Sequence, residues 1–206
     1  MFSPPDAWPG KRLFDIVVSA AVLLVLTPVL LAIVLAEWLS QGPALYRQQR
    51  VTRYGDRFEI LKFRTMVVGA DRMSGNVSPA GDPRVTRLGH FLRRWYLDEL
   101  PQLYNVLRGD MSLVGPRPET VEYVTLLAPE ERRVLTVRTG IAGPSTLAFM
   151  DEADILAAAP DPAAYYETTM LHDRVRADLS YLDHCSFAYD LALLIRQVVT
   201  ILRRLW

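Results

Sequence analysis

Residues 97–118 read L-D-E-L-P-Q-L-Y-N-V-L-R-G-D-M-S-L-V-G-P-R-P and hold the chain's densest set of groups able to do chemistry. Asp98 and Glu99 stand side by side, Asp110 follows, and Arg117 lies between two prolines. Leu100, Leu103 and Leu107 recur at helical spacing, Pro101 is tolerable only in a first turn, and Gly109 supplies a stop. The spacing therefore predicts a short helix with Asp98 and Glu99 in or just before its first turn. Free N–H groups and the positive dipole end favour ionised carboxylates there. Neighbouring helical residues point roughly 100° apart, so one carboxylate can face a substrate while the other holds a metal. The prolines stiffen the loop under Arg117 and fix its guanidinium as a charged fork. Singly, these features read as helix capping and a solvated loop arginine. Together, paired carboxylates and a rigid arginine suit phosphate chemistry with a divalent cation.

The same run resembles the signature of the bacterial sugar transferases, monotopic phosphoglycosyl transferases that load a sugar phosphate onto polyprenol phosphate. Three further segments match that family in order: K-R-L-F-D at 11–15, K-F-R-T-M at 62–66 and D-P-R-V-T-R-L-G at 82–89. The similarity runs from Lys11 to about Arg196. It implies transfer of a sugar-1-phosphate from a UDP-sugar to polyprenol (undecaprenyl) phosphate, with release of UMP, as the first membrane step of glycoconjugate assembly. It implies Asp98 as nucleophile of a covalent aspartyl sugar-phosphate intermediate, with Glu99 and Asp98 holding Mg²⁺. Asp190, in S-F-x-x-D-L, matches a further acidic position of the family's active site. Arg93 and Arg117 would meet phosphate, with Lys62 and Arg64 nearby. The loop T-G-I-A-G-P at 139–144 matches with threonine replacing a proline. Met150 stands where many relatives carry an arginine that contacts nucleotide phosphate, so either Arg138 takes that role or the donor is held differently. Two alternatives stay open: direct attack by the acceptor through the same carboxylates, and a catalytically silent membrane adaptor.

Composition bounds the rest. The 206 residues suffice for one compact domain plus an appendage, and half are apolar. Lysine plus arginine (23) balances aspartate plus glutamate (23), which argues against a nucleic-acid binder. Cys185, the single cysteine, excludes an internal disulfide. P-loop, dinucleotide-binding and serine-hydrolase signatures are missing from the sequence.

The chain divides into a leader at 1–10, a membrane-embedded segment at 11–41 and a cytoplasmic catalytic domain at 42–206. No charge interrupts residues 16–36, a run long enough for a membrane helix. Thr27-Pro28 lies at its middle, where proline removes a hydrogen bond. Basic residues flank both sides, so the positive-inside rule selects no orientation. Spanning and re-entrant topologies both fit; the resemblance implies a re-entrant helix-break-helix in the bacterial inner membrane, catalytic domain on the cytoplasmic face. The predicted fold is α+β and mostly helical, with a hairpin around Tyr54-Gly55-Asp56 and a mobile loop at 67–82. Helices are expected near 88–95, 120–127, 129–137, 151–156 and 162–182. His172 and His184 lack partners at metal spacing and read as structural. In the last segment Phe187, Leu191, Leu194, Ile195, Val198, Leu202 and Leu205 form one apolar stripe, suited to a core face or an interfacial amphipathic helix.

Overall fold

The computed structural model describes residues 8–40, 42–73 and 77–204. Most of the expected leader, and Leu205, lie outside the described residues. Helix α1 (Lys11–Leu39) carries Pro28 inside it, and helical backbone runs through the position where the sequence suggests a break. Thr27 Oγ1 donates to the Leu23 carbonyl oxygen at 2.8 Å, adding a bond in the turn the proline weakens.

Both ends of α1 are tied to the same domain. At its start Lys11 pairs with Asp190, and Arg12 donates to the carbonyls of Val106 and Leu107 at 2.6 and 2.8 Å. One turn on, Asp15 accepts from Ser112 Oγ at 2.8 Å and from the Leu113 N–H at 3.2 Å. At its far end Glu37 pairs with Arg64 at 2.7 Å, and Ile33 packs with Phe63 and Leu92. The buried positions Lys11, Asp15, Ser19, Ile33 and Glu37 lie on the face turned to the domain. Leu13, Val17, Leu24, Val25, Leu31, Leu35 and Trp38 are exposed, so the outward surface is almost wholly apolar.

Strands β1 (Leu45–Val51) and β2 (Arg57–Phe63) form the expected hairpin, in register from Leu45 opposite Phe63 to Val51 opposite Arg57. Tyr54 adopts φ 61° in the turn beside Gly55 at φ 85°. Helix α2 (Arg87–Arg94) is capped by Thr86, whose side chain accepts from the Gly89 N–H. A Cβ at Gly89 would lie 2.0 Å from the Thr65 carbonyl oxygen, so this glycine lets α2 seat directly on the chain leaving β2. Gly89→Ala should cost about 2 kcal/mol of stability or more, as an overpacked contact against backbone. Chemical denaturation of the detergent-solubilised protein checks this, and an unchanged midpoint would contradict it.

A single 3₁₀ turn at Leu97–Glu99 leads through Pro101 into α3 (Gln102–Arg108), which Gly109 ends in the left-handed region. The predicted start and stop of this helix therefore hold. Strand β3 (Ser112–Val114) pairs in parallel with β4 (Gly140–Ala142). Between them α4 (Val121–Thr125) is followed by a 3₁₀ segment, Glu131–Thr136, where a helix was expected. Short helices α5 (Pro144–Ala148), α6 (Glu152–Ala158) and α7 (Pro162–Tyr165) precede the long α8 (Leu171–His184). The final helix α9 (Phe187–Arg203) buries Asp190, Leu193 and Gln197. Of its predicted stripe, Phe187, Leu191, Ile195, Val198 and Leu202 face outward, whereas Leu194 packs partly buried against the core. Phe187 meets Phe14 edge-on at 5.5 Å, placing the start of that stripe beside α1.

Candidate active site

Asp98 reaches its position through a local reversal. Tyr96, the last residue before the 3₁₀ turn, takes φ 54°, a left-handed conformation rare outside glycine. The turn then presents Asp98 and Glu99 to a cavity of about 480 Å³. The loop expected at 67–82 forms part of its wall through Val67, Val68, Gly69, Ala70 and Ser78. Arg84 holds that loop: it pairs with Asp82 at 2.6 Å and donates to the Val77 carbonyl at 3.0 Å.

Glu99 is held from two elements. Lys62 Nζ, from β2, lies 2.7 Å from its Oε1, and Arg117 Nη2 lies 3.4 Å from the same oxygen. Burial opposes ionisation of Glu99, yet Lys62 and Arg117 hold its carboxyl down at about 2. Asp98 goes the other way. Burial, and then the charge of Glu99, push its carboxyl up to about 6 against the pull of Lys62 and Arg93. Adjacent residues thus provide a firmly ionised acid and a more basic one. Such a divergence suits the two carboxyl groups to different tasks.

Arg93, in the last turn of α2, donates through Nε to Thr65 Oγ1 and through Nη1 to Ser78 Oγ, each at 2.9 Å. Burial lowers its pKa from the ordinary arginine value, and Asp98 and Asp82 act against that. The Arg117 loop is pinned at its backbone, where the Arg117 N–H donates to Asp178 Oδ2 of α8 at 2.9 Å. Lys62, Arg93 and Arg117 therefore meet Asp98 and Glu99 in one cavity, as the resemblance implies.

Three other predicted residues are placed differently. Arg64 lines the cavity, but its guanidinium is engaged by Glu37 and Ser40, because β2 ends at Phe63 and the chain turns there. It fastens the end of α1 rather than offering a free phosphate contact. Arg138 is not among the lining residues; its Nε donates to the Gly109 carbonyl at 3.1 Å. Asp190 is likewise remote from the cavity. It is fully buried, accepting from Lys11 and Trp8 on Oδ2 and from Tyr181 on Oδ1. That network leaves it no part in a cation site with Glu99. Asp110 also stays outside, accepting from Asn105 at 3.2 Å.

Arg50, Arg84, Thr146, Phe149, Glu152 and Arg174 line the cavity without having been picked out as site residues. Arg84 had a signal, since it lies inside the matched D-P-R-V-T-R-L-G segment. Arg174 had none: one arginine in a mixed helical face looks like a solvated residue. Met150 does line the cavity, and its carbonyl accepts from Arg204 at 3.0 Å.

A cavity lined by seven basic side chains around the Asp98–Glu99 pair suits a phosphorylated substrate. A family profile described as bacterial sugar transferase matches residues 7–204, and the chain belongs to that family. It is 39% identical over 197 residues to the UDP-glucose:undecaprenyl-phosphate glucose-1-phosphate transferase of Caulobacter vibrioides, covering 93% of this chain and 69% of that protein. It is 32% identical over 209 residues to the undecaprenyl-phosphate galactose phosphotransferase of Salmonella typhimurium, covering 94% of this chain and 40% of that one. A glucose-1-phosphate transferase of the same description from Escherichia coli is 38% identical over 187 residues, covering 88% and 38%.

Proposed function

We propose that this chain moves a sugar-1-phosphate from a UDP-sugar to polyprenol phosphate at a membrane surface, releasing UMP, in two displacements at one phosphorus. The observation that carries this reading is the split acidic pair: Asp98 buried and basic, Glu99 clamped by Lys62 and Arg117. An Asp98 oxygen attacks the phosphorus that bears the sugar, and the bond to UMP breaks, UMP leaving with the electron pair. The polyprenol phosphate oxygen then attacks the same phosphorus and the Asp98 carboxylate departs. A carboxylate with a raised pKa is a better nucleophile while remaining ionised near neutrality. Lys62, Arg93 and Arg117 oppose the charge gathered on the phosphate oxygens.

Among the described residues no three acidic, histidine or cysteine side chains converge. Mg²⁺ fits such a site, because it rests on one or two carboxylates and completes its shell with water and phosphate oxygens. Asp98 and Glu99 would hold it; both contacts described for Glu99 fall on Oε1, which leaves Oε2 for a cation. Bound there, it would neutralise diphosphate charge.

If ionised Asp98 attacks, kcat/KM for the donor should fall as pH drops through about 6, where Asp98 takes up its proton. A pH–rate profile of UMP release checks this. A flat profile between pH 5 and 8 would count against Asp98 as the attacking group.

The anchoring of α1 supports a re-entrant seat in one leaflet. A straight helix of 29 residues is about 43 Å long, enough to cross a hydrocarbon core of about 30 Å. Yet Lys11 and Glu37, near opposite ends, both pair with the same domain, and one domain cannot lie on both sides of a bilayer. The exposed apolar faces of α1 and α9 would then lie in lipid together. Cysteines placed at Pro9 and Asp56, with Cys185 replaced, should both label from the cytoplasmic side in intact vesicles. Labelling from opposite sides would rule out this topology.

A further inference from the structure

One wall of the cavity is built of groups the proposed displacement does not use. Arg174, on α8, is 2% exposed, and its Nη1 donates to Glu152 Oε2 at 2.6 Å. Its Nε has no hydrogen-bond partner, nor has Thr146 Oγ1, and both residues line the cavity. Phe149 lies beside them, its ring centroid 5.9 Å from Arg174 Cζ. Leaving buried polar atoms unpaired is costly, and both of these belong to residues that line the cavity.

We infer that Thr146, Phe149, Glu152 and Arg174 form a subsite for the vicinal hydroxyls of a sugar ring of the donor. The inference rests on the reaction proposed above. Charge decides against a phosphate at this wall: Glu152 already neutralises Arg174, and a second anion would meet the carboxylate. The cations that the proposed displacement assigns to phosphate oxygens are Lys62, Arg93 and Arg117. A neutral ligand that donates to a carboxylate, accepts from a guanidinium and presents an apolar face to an aromatic ring is a sugar. Location agrees. Glu152 is held below its ordinary pKa, against burial, by Arg174 first and then by Arg117 and Lys62, so the wall adjoins the phosphate groups. In a UDP-sugar two rings are joined to the diphosphate, the transferred hexose and the ribose, and either presents vicinal hydroxyls.

The test pairs deletions on protein and ligand. Binding is measured by calorimetry on the full chain in detergent, in an Asp98→Asn background so that donor is not consumed. The probes are UDP-glucose and UDP-galactose, analogues of the tighter binder lacking one hexose hydroxyl each, and its 2′-deoxyuridine form. With the wall intact, removing the contacted hydroxyl should weaken binding about tenfold, the size expected for a hydrogen bond to a charged group. With Thr146→Val, removing the hydroxyl that Thr146 holds should change binding less than twofold, because its partner is already gone. With Glu152→Gln, whose amide oxygen still accepts but carries no charge, the loss at the hydroxyl it holds should shrink. Loss confined to a hexose analogue identifies the transferred ring; loss confined to the 2′-deoxy form identifies the ribose. Thr146→Val keeps the side-chain volume and reads the wall even if Glu152→Gln, which strands Arg174, folds poorly. Losses that simply add for every hydroxyl, donors that bind both variants as tightly as the unaltered wall, or no donor binding at all would each overturn the subsite. UMP release by the wild-type protein is scored separately, so a failed transfer reaction is distinguished from a failed subsite.

Discussion

Asp98→Asn should abolish UMP release from a UDP-sugar while leaving a protein at least as stable as the wild type. The functional loss should be on the order of a thousandfold or more, because an amide is a far poorer nucleophile than a carboxylate. The stability should move oppositely. The folded protein holds the Asp98 proton more tightly than the unfolded chain, so ionising this residue costs stability as pH rises from 3.8 to about 6. Asparagine lacks that charge and escapes the penalty at neutral pH. A residue that merely capped the 3₁₀ turn would behave otherwise, losing about 1 kcal/mol of stability and little activity. Steady-state UMP release and a denaturation curve on one preparation separate the two cases. An active Asp98→Asn protein would remove the nucleophile from the account.

Arg117→Lys carries the second large expectation, a fall on the order of a hundredfold in kcat/KM for the donor. The backbone of this loop is held by Asp178 through the Arg117 N–H, so the substitution should leave the loop in place. What changes is the head group. Lysine offers a point charge where arginine offers a planar fork for phosphate, and it loses the reach to Glu99 at 3.4 Å. Glu99 would then lean on Lys62 alone. Near wild-type turnover by a well-folded Arg117→Lys protein would make the residue a support for its loop and nothing more.

How much of this was legible without the structure depended on distance along the chain. Asp98, Glu99, the Pro101 entry and the Gly109 stop were readable because local backbone preference fixes them. Arg117 was readable because its two flanking prolines were. Lys62 came from a matched segment and Arg93 from the place of an arginine in the resembled family, and both line the cavity. The failures are tertiary. Arg64 lines the cavity as the resemblance implies, but its guanidinium turns to Glu37, 27 residues earlier. Asp190 looked like a site carboxylate, whereas Lys11, 179 residues away, takes its charge. Pro28 suggested a gap in a helix that instead runs on. Thr146 and Arg174 gave no signal, since nothing local tells a helical side chain that faces a cavity from one that faces water.

The most direct measurement of the central claim is the intact mass of the full chain after rapid mixing with a UDP-sugar and Mg²⁺, without polyprenol phosphate. Covalent attack by Asp98 predicts a hexose-phosphate-sized adduct on the protein, UMP in amounts near the enzyme concentration, and neither in Asp98→Asn. A folded, active enzyme that never gains that mass under rapid quench, and that releases UMP only once the acceptor is added, would falsify the covalent mechanism. Direct attack by the acceptor would then be the route.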